Sequence, residues 1–163
     1  MRNIPTFLLK IALSFLIIPI FIYALFLINI GIPELITGFE ADHPLAIYVA
    51  IVLAIATITS VPYLMAIYQA WTLLNNIDAN EAFSLKSVIT LRKIKYLAVI
   101  VGSLFVAAIP FIYIIVKSSD TIYLLLFALV LGFVSLVIAV FANILQKLLY
   151  EALLIKEEND LTV

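Results

Sequence analysis

Chemistry needs ionisable, nucleophilic or metal-ligating side chains brought together, and few of the 163 residues offer any. Cysteine is absent and histidine occurs once, as His43. That excludes disulfides, thiol catalysis and Cys-ligated metals. His43 closes a stretch, Glu34 to Pro44, that also holds Glu34, Glu40 and Asp42. An acidic pair beside a histidine suits a divalent cation. The spacing matches no ligand pattern, however, and no metal is expected. No second histidine is present to complete a triad with a serine, and the long apolar runs lack the Ser/His or paired Asp of an intramembrane hydrolase. We therefore expect no catalytic residue, no cofactor and no enzyme.

Ionisable side chains inside a membrane are costly and usually mark a functional path. The four apolar runs described next contain none, which weighs against a proton-coupled transporter, a voltage sensor or a charged ion pathway. Their polar residues include Ser14, Asn29, Thr57, Thr59, Ser60, Gln69, Ser103, Ser135, Asn143 and Gln146. Ser and Thr hydroxyls can bond back to their own helix. Asn143 and Gln146 need outside partners and are expected to tie the fourth span to the second near Gln69.

The elements that must position these residues follow from composition. Sixty-six per cent of the chain is hydrophobic and 12 per cent charged, with a mean hydropathy of +1.28. Soluble domains sit nearer 45–50 per cent apolar and about 25 per cent charged. Four uncharged runs, Ile11–Pro33, Pro44–Ile77, Tyr96–Val116 and Thr121–Gln146, each meet the roughly 20 residues that a helix needs to cross a bilayer. With every backbone group to be satisfied inside lipid, each run is predicted helical. The first is too long for a signal-peptide core and shows no small-residue cleavage site, so it reads as a retained helix. The fold class is thus an all-α membrane protein, a four-transmembrane-helix bundle in a single domain over 1–163. Spans fall near 8–31, 45–74, 96–116 and 122–147, with a loop over 75–95 and a tail over 148–163.

Orientation follows from the basic residues. Arg2, Lys10, Lys86, Arg92, Lys93, Lys95, Lys147 and Lys156 fall in the N-terminus, the middle loop and the C-terminus, and only Lys117 falls in the other loops. That asymmetry places both termini and the middle loop in the cytoplasm. Tyr68, Trp71, Tyr96 and Tyr150 flank the inner boundary, and Tyr48, Tyr113 and Tyr123 the outer one.

Apolar side chains do not drive helix association in lipid, whereas small residues permit close approach. In the fourth span Ala128, Gly132, Ser135, Ala139, Ala142 and Gln146 recur at spacings of four and three, on one face. A pore lining and a packing seam both fit such a stripe. The seam is the simpler, because Ala and Gly give an ion nothing to coordinate. Pro19, Pro62 and Pro110 lie inside spans, where each removes a donor and favours a kink.

The middle loop and tail carry the remaining distinctive residues. Ser84 can cap a short cytoplasmic helix beginning at Leu85. That helix sets Lys86, Thr90 and Lys93 on one side and Leu85, Val88 and Ile89 on the other, then runs through Arg92, Lys93 and Lys95 into the third span. Anionic headgroups or a cytoplasmic partner would meet this stretch. The tail ends Lys156-Glu157-Glu158-Asn159-Asp160-Leu161-Thr162-Val163, which a partner's backbone could capture. The candidate partner or lipid contacts are Phe83, Ser84, Arg92, Lys93, Lys95, Asn159 and Asp160.

Two segments, Asp78-Ala79-Asn80-Glu81-Ala82-Phe83-Ser84 followed by Val88 and Leu91-Arg92-Lys93-Ile94, and the tail Glu157 to Val163, resemble the YoaS-like family of small bacterial four-helix membrane proteins of unknown function. Ala82 stands where that pattern has proline. The resemblance implies a bacterial plasma-membrane protein with no established activity. Members are often encoded beside small helix-turn-helix regulators, which implies such a regulator as a cytoplasmic partner. The expected function is accordingly a non-enzymatic regulatory or accessory role through cytoplasmic contacts, with membrane lipids as neighbours and no direct nucleic-acid binding. Two alternatives are a small oligomeric transporter or channel-like protein, and an immunity or envelope-stress protein.

Overall fold

The structure, a computed structural model, describes residues 4–162. Arg2, counted in the charge asymmetry, and Val163, the last residue of the tail, lie outside them. The described chain is helical, without a strand: α1 (Ile4–Phe15), α2 (Ile18–Phe26), a π-helical turn (Leu27–Gly31), α3 (Ile32–Glu40), α4 (Ala46–Asp78), α5 (Leu85–Ser119) and α6 (Ile122–Leu161). α1 to α3 form one broken rod, so four helical units are long and apolar enough to cross a membrane. The short helix expected between the second and third spans is the opening of α5, one helix from Leu85 to Ser119.

The three connections share one device. Asp42, Asn80 and Asp120 have left-handed backbones, with φ of 53°, 61° and 50°, a region Asn and Asp tolerate better than other residues with a β-carbon. Behind Asp42 the His43 N–H reaches the Gly38 carbonyl and the Asp42 N–H reaches Phe39; behind Asn80 the Glu81 N–H reaches Asn76 and the Asn80 N–H reaches Ile77. Both are complete Schellman closures, which satisfy carbonyls a helix end would leave bare. They turn the chain back within a few residues, so consecutive helices run antiparallel.

The first rod breaks where proline removes donors. Pro19 lacks the N–H that would continue the ladder, and Leu16, Ile17 and Ile20 donate to carbonyls three residues back. The Leu16 carbonyl then has no partner in its own helix and accepts from the Tyr63 hydroxyl of α4 at 3.0 Å. Tyr23 answers from the other side, with its hydroxyl 3.1 Å from the Leu53 carbonyl and 2.9 Å from Thr57 Oγ1. Ahead of Pro33 the helix widens into the π-turn, and Asn29 Nδ2 donates to the Leu25 carbonyl. Such bonds are what hydrocarbon demands of an interrupted helix.

Packing is inverted relative to a soluble protein. Ala98, Ala108, Ala128, Ala139 and Ala142 are buried, whereas Phe21, Phe127, Phe133 and Phe141 are more than 60 per cent exposed. In water such a surface would aggregate; in lipid it is the solvated face. The core lies among α4, α5 and α6, where Ala108, Ile112 and Ala128 meet Val52, Ile55 and Phe105. α5 and α6 lie close together at Gly102 and Gly132. A β-carbon on Gly102 would lie 3.0 Å from Leu136 Cδ2, and one on Gly132 would lie 3.3 Å from Phe105 Cβ. The first rod lies outside this core, against α4, and its most apolar stretch contributes no buried residue.

Candidate functional site

The antiparallel order gathers the start of α1, the end of α4, the start of α5 and the end of α6 at one end of the bundle. Lys10 Nζ donates to Asp78 Oδ2 at 2.5 Å and lies over the Trp71 ring, joining the first rod to α4 at this end. Hydrogen bonds from the Lys10 ammonium and then from Thr6 hold the Asp78 carboxyl below the ordinary carboxylate range. Lys86 pairs with Glu81 at 3.0 Å. Lys95 donates to Asn143 Oδ1 at 3.4 Å and lies 4.7 Å over the Tyr96 ring. Asn143 therefore ties the fourth span to the third, not to the second as its position suggested. Arg92, Lys93 and Lys147 have no acidic partner among the described residues.

Ser84 caps α5: its hydroxyl accepts from the Ser87 N–H at 3.3 Å, with an extended backbone at Ser84. Ser87 is fully buried and donates to the Glu81 carbonyl, and Thr90, also buried, donates to the Lys86 carbonyl. With their hydroxyls satisfied locally, these two turn inward beside Val88 and Leu91. Leu85 and Ile89 are displaced outward, at 57 and 43 per cent exposure. The expected division, with Leu85, Val88 and Ile89 on one side and Lys86, Thr90 and Lys93 on the other, is thus corrected: Leu85, Ile89 and Thr90 change sides, whereas Val88 stays buried and Lys86 and Lys93 stay exposed.

Beside this cap lies an open apolar groove of ≈ 370 Å³. Leu73 and Ile77 come from α4, Ala82 and Phe83 from the connector, Leu91 from α5 and Leu149 from α6. Phe83 forms a wall of the groove while remaining 58 per cent exposed. Two buried polar atoms on the flanking helices, Asn76 Nδ2 and Gln146 Oε1, have no hydrogen-bond partner. Beyond the groove α6 continues to Leu161, with Leu154, Ile155, Asn159, Asp160 and Leu161 exposed.

A family of proteins of unknown function, DUF2975, matches residues 8–163 of this sequence. The chain belongs to that family. It is 41% identical over 165 residues to the uncharacterized membrane protein YoaS of Bacillus subtilis (strain 168), covering the whole of both chains. No solved structure matches it. The resemblance drawn from the loop and tail segments thus extends along the whole chain, and this DUF2975 member is a membrane protein with four candidate spans.

Within the DUF2975 chain the candidate residues fall into two groups. Phe83, Ser84, Arg92, Lys93 and Lys95 come together around the start of α5, whereas Asn159 and Asp160 stand apart at the far end of α6. In the stripe, Ala128, Gly132, Ala139 and Ala142 are buried, and Ser135, partly buried, bonds back to the Leu131 carbonyl. At the other end His43 Nδ1 accepts from the Leu45 N–H. Among the described residues no three His, Asp or Glu side chains gather where an ion could be held. The groove escaped sequence reading because its leucines look like any lipid-facing leucines; the unusual polarity of Asn76 and Gln146 beside them was the available signal.

Proposed function

We propose that this DUF2975 protein is a non-enzymatic accessory or regulatory protein of the plasma membrane, acting by contact between its basic end and a cytoplasmic protein. One observation carries this: Phe83, more than half exposed, walls an open apolar groove at the end where Arg92, Lys93 and Lys147 lack acidic partners among the described residues. Within the spans the hydroxyls of Thr57, Thr59, Ser60 and Ser135 bond back to their own helices. Tyr23 and Tyr63 brace the first rod, and Gly102 and Gly132 close the seam between α5 and α6. A side chain left unspent at one end is available for a partner.

Both termini face the cytoplasm on this account. Seven of the basic residues, Lys10, Lys86, Arg92, Lys93, Lys95, Lys147 and Lys156, occur on segments at this end, against Lys117 at the other, as the positive-inside rule requires. The small helix-turn-helix regulator implied by the family resemblance is the partner to test first. The experiment is retention of that regulator on native membranes. Substitution of Phe83→Ala, Arg92→Gln or Asp160→Asn abolishes retention and leaves membrane insertion unchanged. Retention unaltered in all three would remove the proposal.

A further inference from the structure

Two contacts that align α5 with α6 lie the same distance apart on each helix. Lys95 donates to Asn143 Oδ1, and a β-carbon on Gly102 would meet Leu136. Between them run about two helical turns of each chain, so one strip of α5 stays beside one strip of α6 over that length. The α5 strip carries Arg92, Lys95, Val99 and Val106. The α6 strip, running the other way, carries Lys147, Asn143, Val140 and Leu136. Steps of three, four and seven residues keep such side chains on one face of a helix. Both strips change character at the same level. Arg92, Lys95, Asn143 and Lys147 stand where the third apolar run begins, at Tyr96, and the fourth ends, at Gln146. Val99, Val106, Leu136 and Val140 follow toward the middle of each run, and all four are exposed. A cationic head above an apolar shelf is the complement of a phospholipid.

We infer that this face binds one anionic phospholipid, its phosphodiester held by Arg92, Lys95 and Lys147 and an acyl chain laid along Val99, Val106, Leu136 and Val140. Charge selects the headgroup. α5 contains no acidic residue. Among the described residues the ion pairs are Lys10–Asp78 and Lys86–Glu81, so Glu151, one turn beyond Lys147, neutralises none of the three cations. They surround a single negative charge, which a zwitterionic lipid would offset with its own ammonium. The site is also partly preformed. Lys95 is half-buried, its ammonium held 4.7 Å from the Tyr96 ring and bonded to Asn143 Oδ1. An ammonium has three hydrogens, so donors remain for a phosphate. Asn143, accepting through Oδ1, presents its amide N–H groups as further donors. None of these residues lines the apolar groove beside Phe83, and the inference does not depend on a cytoplasmic partner.

The test is native mass spectrometry of the full chain, released from micelles doped with equal amounts of phosphatidylglycerol and phosphatidylcholine of identical acyl chains. The first lipid retained is phosphatidylglycerol, by about tenfold over phosphatidylcholine, the scale set by a few cations beside an anionic headgroup. Lys95→Gln with Lys147→Gln, at unchanged helicity by circular dichroism, removes the preference. Lys147→Gln alone, at an exposed position, lowers it roughly threefold. Lys93→Gln with Lys156→Gln takes the same charge from the same end but outside the strip, and leaves the preference as in the wild type. Glycerophosphoglycerol, the same phosphodiester without acyl chains, fails to compete. No preference in the wild type overturns the inference. So does an equal loss in both double variants, which would make the effect diffuse charge. Displacement by glycerophosphoglycerol would assign the face to a soluble phosphodiester and overturn the lipid. Neither Lys95 nor Lys147 is substituted in the retention assay, so failure of the lipid site and failure of the proposed function are separate results.

Discussion

Replacing Gly132 by leucine tests the packing of the bundle most sharply. A β-carbon at this position already lies 3.3 Å from Phe105 Cβ, which is fixed to the α5 backbone and cannot rotate away. Leucine adds three further carbons into the same space, so α5 and α6 must separate. Overpacking of this kind costs about 1–3 kcal/mol, a factor of roughly 5–150 in the folded-to-unfolded ratio. Gly102→Ala should cost far less, although its β-carbon comes closer. The atoms it meets, Cδ2 at 3.0 Å and Cγ at 3.1 Å, both belong to the side chain of Leu136, which is exposed to lipid and can turn outward about χ1. Equilibrium unfolding in mixed micelles, followed by helical circular dichroism, measures both, with Phe133→Leu on the exposed face of α6 as control. A Gly132→Leu protein as stable as that control would refute the close seam.

Three further outcomes are expected. Tyr63→Phe strands the Leu16 carbonyl and destabilises by about 0.6 kcal/mol, with ~1.7 kcal/mol as the upper bound for such bonds in membranes; amide exchange over residues 16–21 accelerates, and Tyr23→Phe has the smaller effect because Thr57 still bonds to Leu53. Ser84→Ala removes the cap on α5 and costs about 1 kcal/mol, read as faster exchange at the Ser87 amide, while Ser84→Asp restores protection. Because the chain has no cysteine, single cysteines report orientation directly: a membrane-impermeant thiol reagent labels Asp42→Cys on intact cells and Asn159→Cys only after permeabilisation, and the reverse pattern would invert the topology.

Much of this architecture is legible in the sequence because a bilayer imposes length and polarity rules a single chain displays. The four runs, the Ser84 cap and the small-residue spacing from Ala128 to Ala142 need no knowledge of neighbours. What escaped depends on partners. The first rod lies outside the core because its polar bonds go to Tyr63 and to Leu53 and Thr57 of α4, which periodicity does not encode. The inward turn of Ser87 and Thr90 depends on the Glu81 and Lys86 carbonyls, so an amphipathic wheel assigns the wrong face to Leu85, Ile89 and Thr90. The π-turn before Pro33 and the left-handed Asp42, Asn80 and Asp120 follow from local backbone needs that composition only hints at. The groove arises only when the ends of α4 and α6 meet the connector.

Contact between the basic end and a cytoplasmic protein can be read by photocrosslinking in living cells. A photoreactive residue is placed at Phe83, which walls the groove, and another at Phe133, 69 per cent exposed on the face of α6 within the fourth apolar run. A discrete protein adduct from position 83, lost with Ala82→Trp, and lipid adducts alone from position 133 are the expected result. Lipid adducts alone from both positions would contradict it.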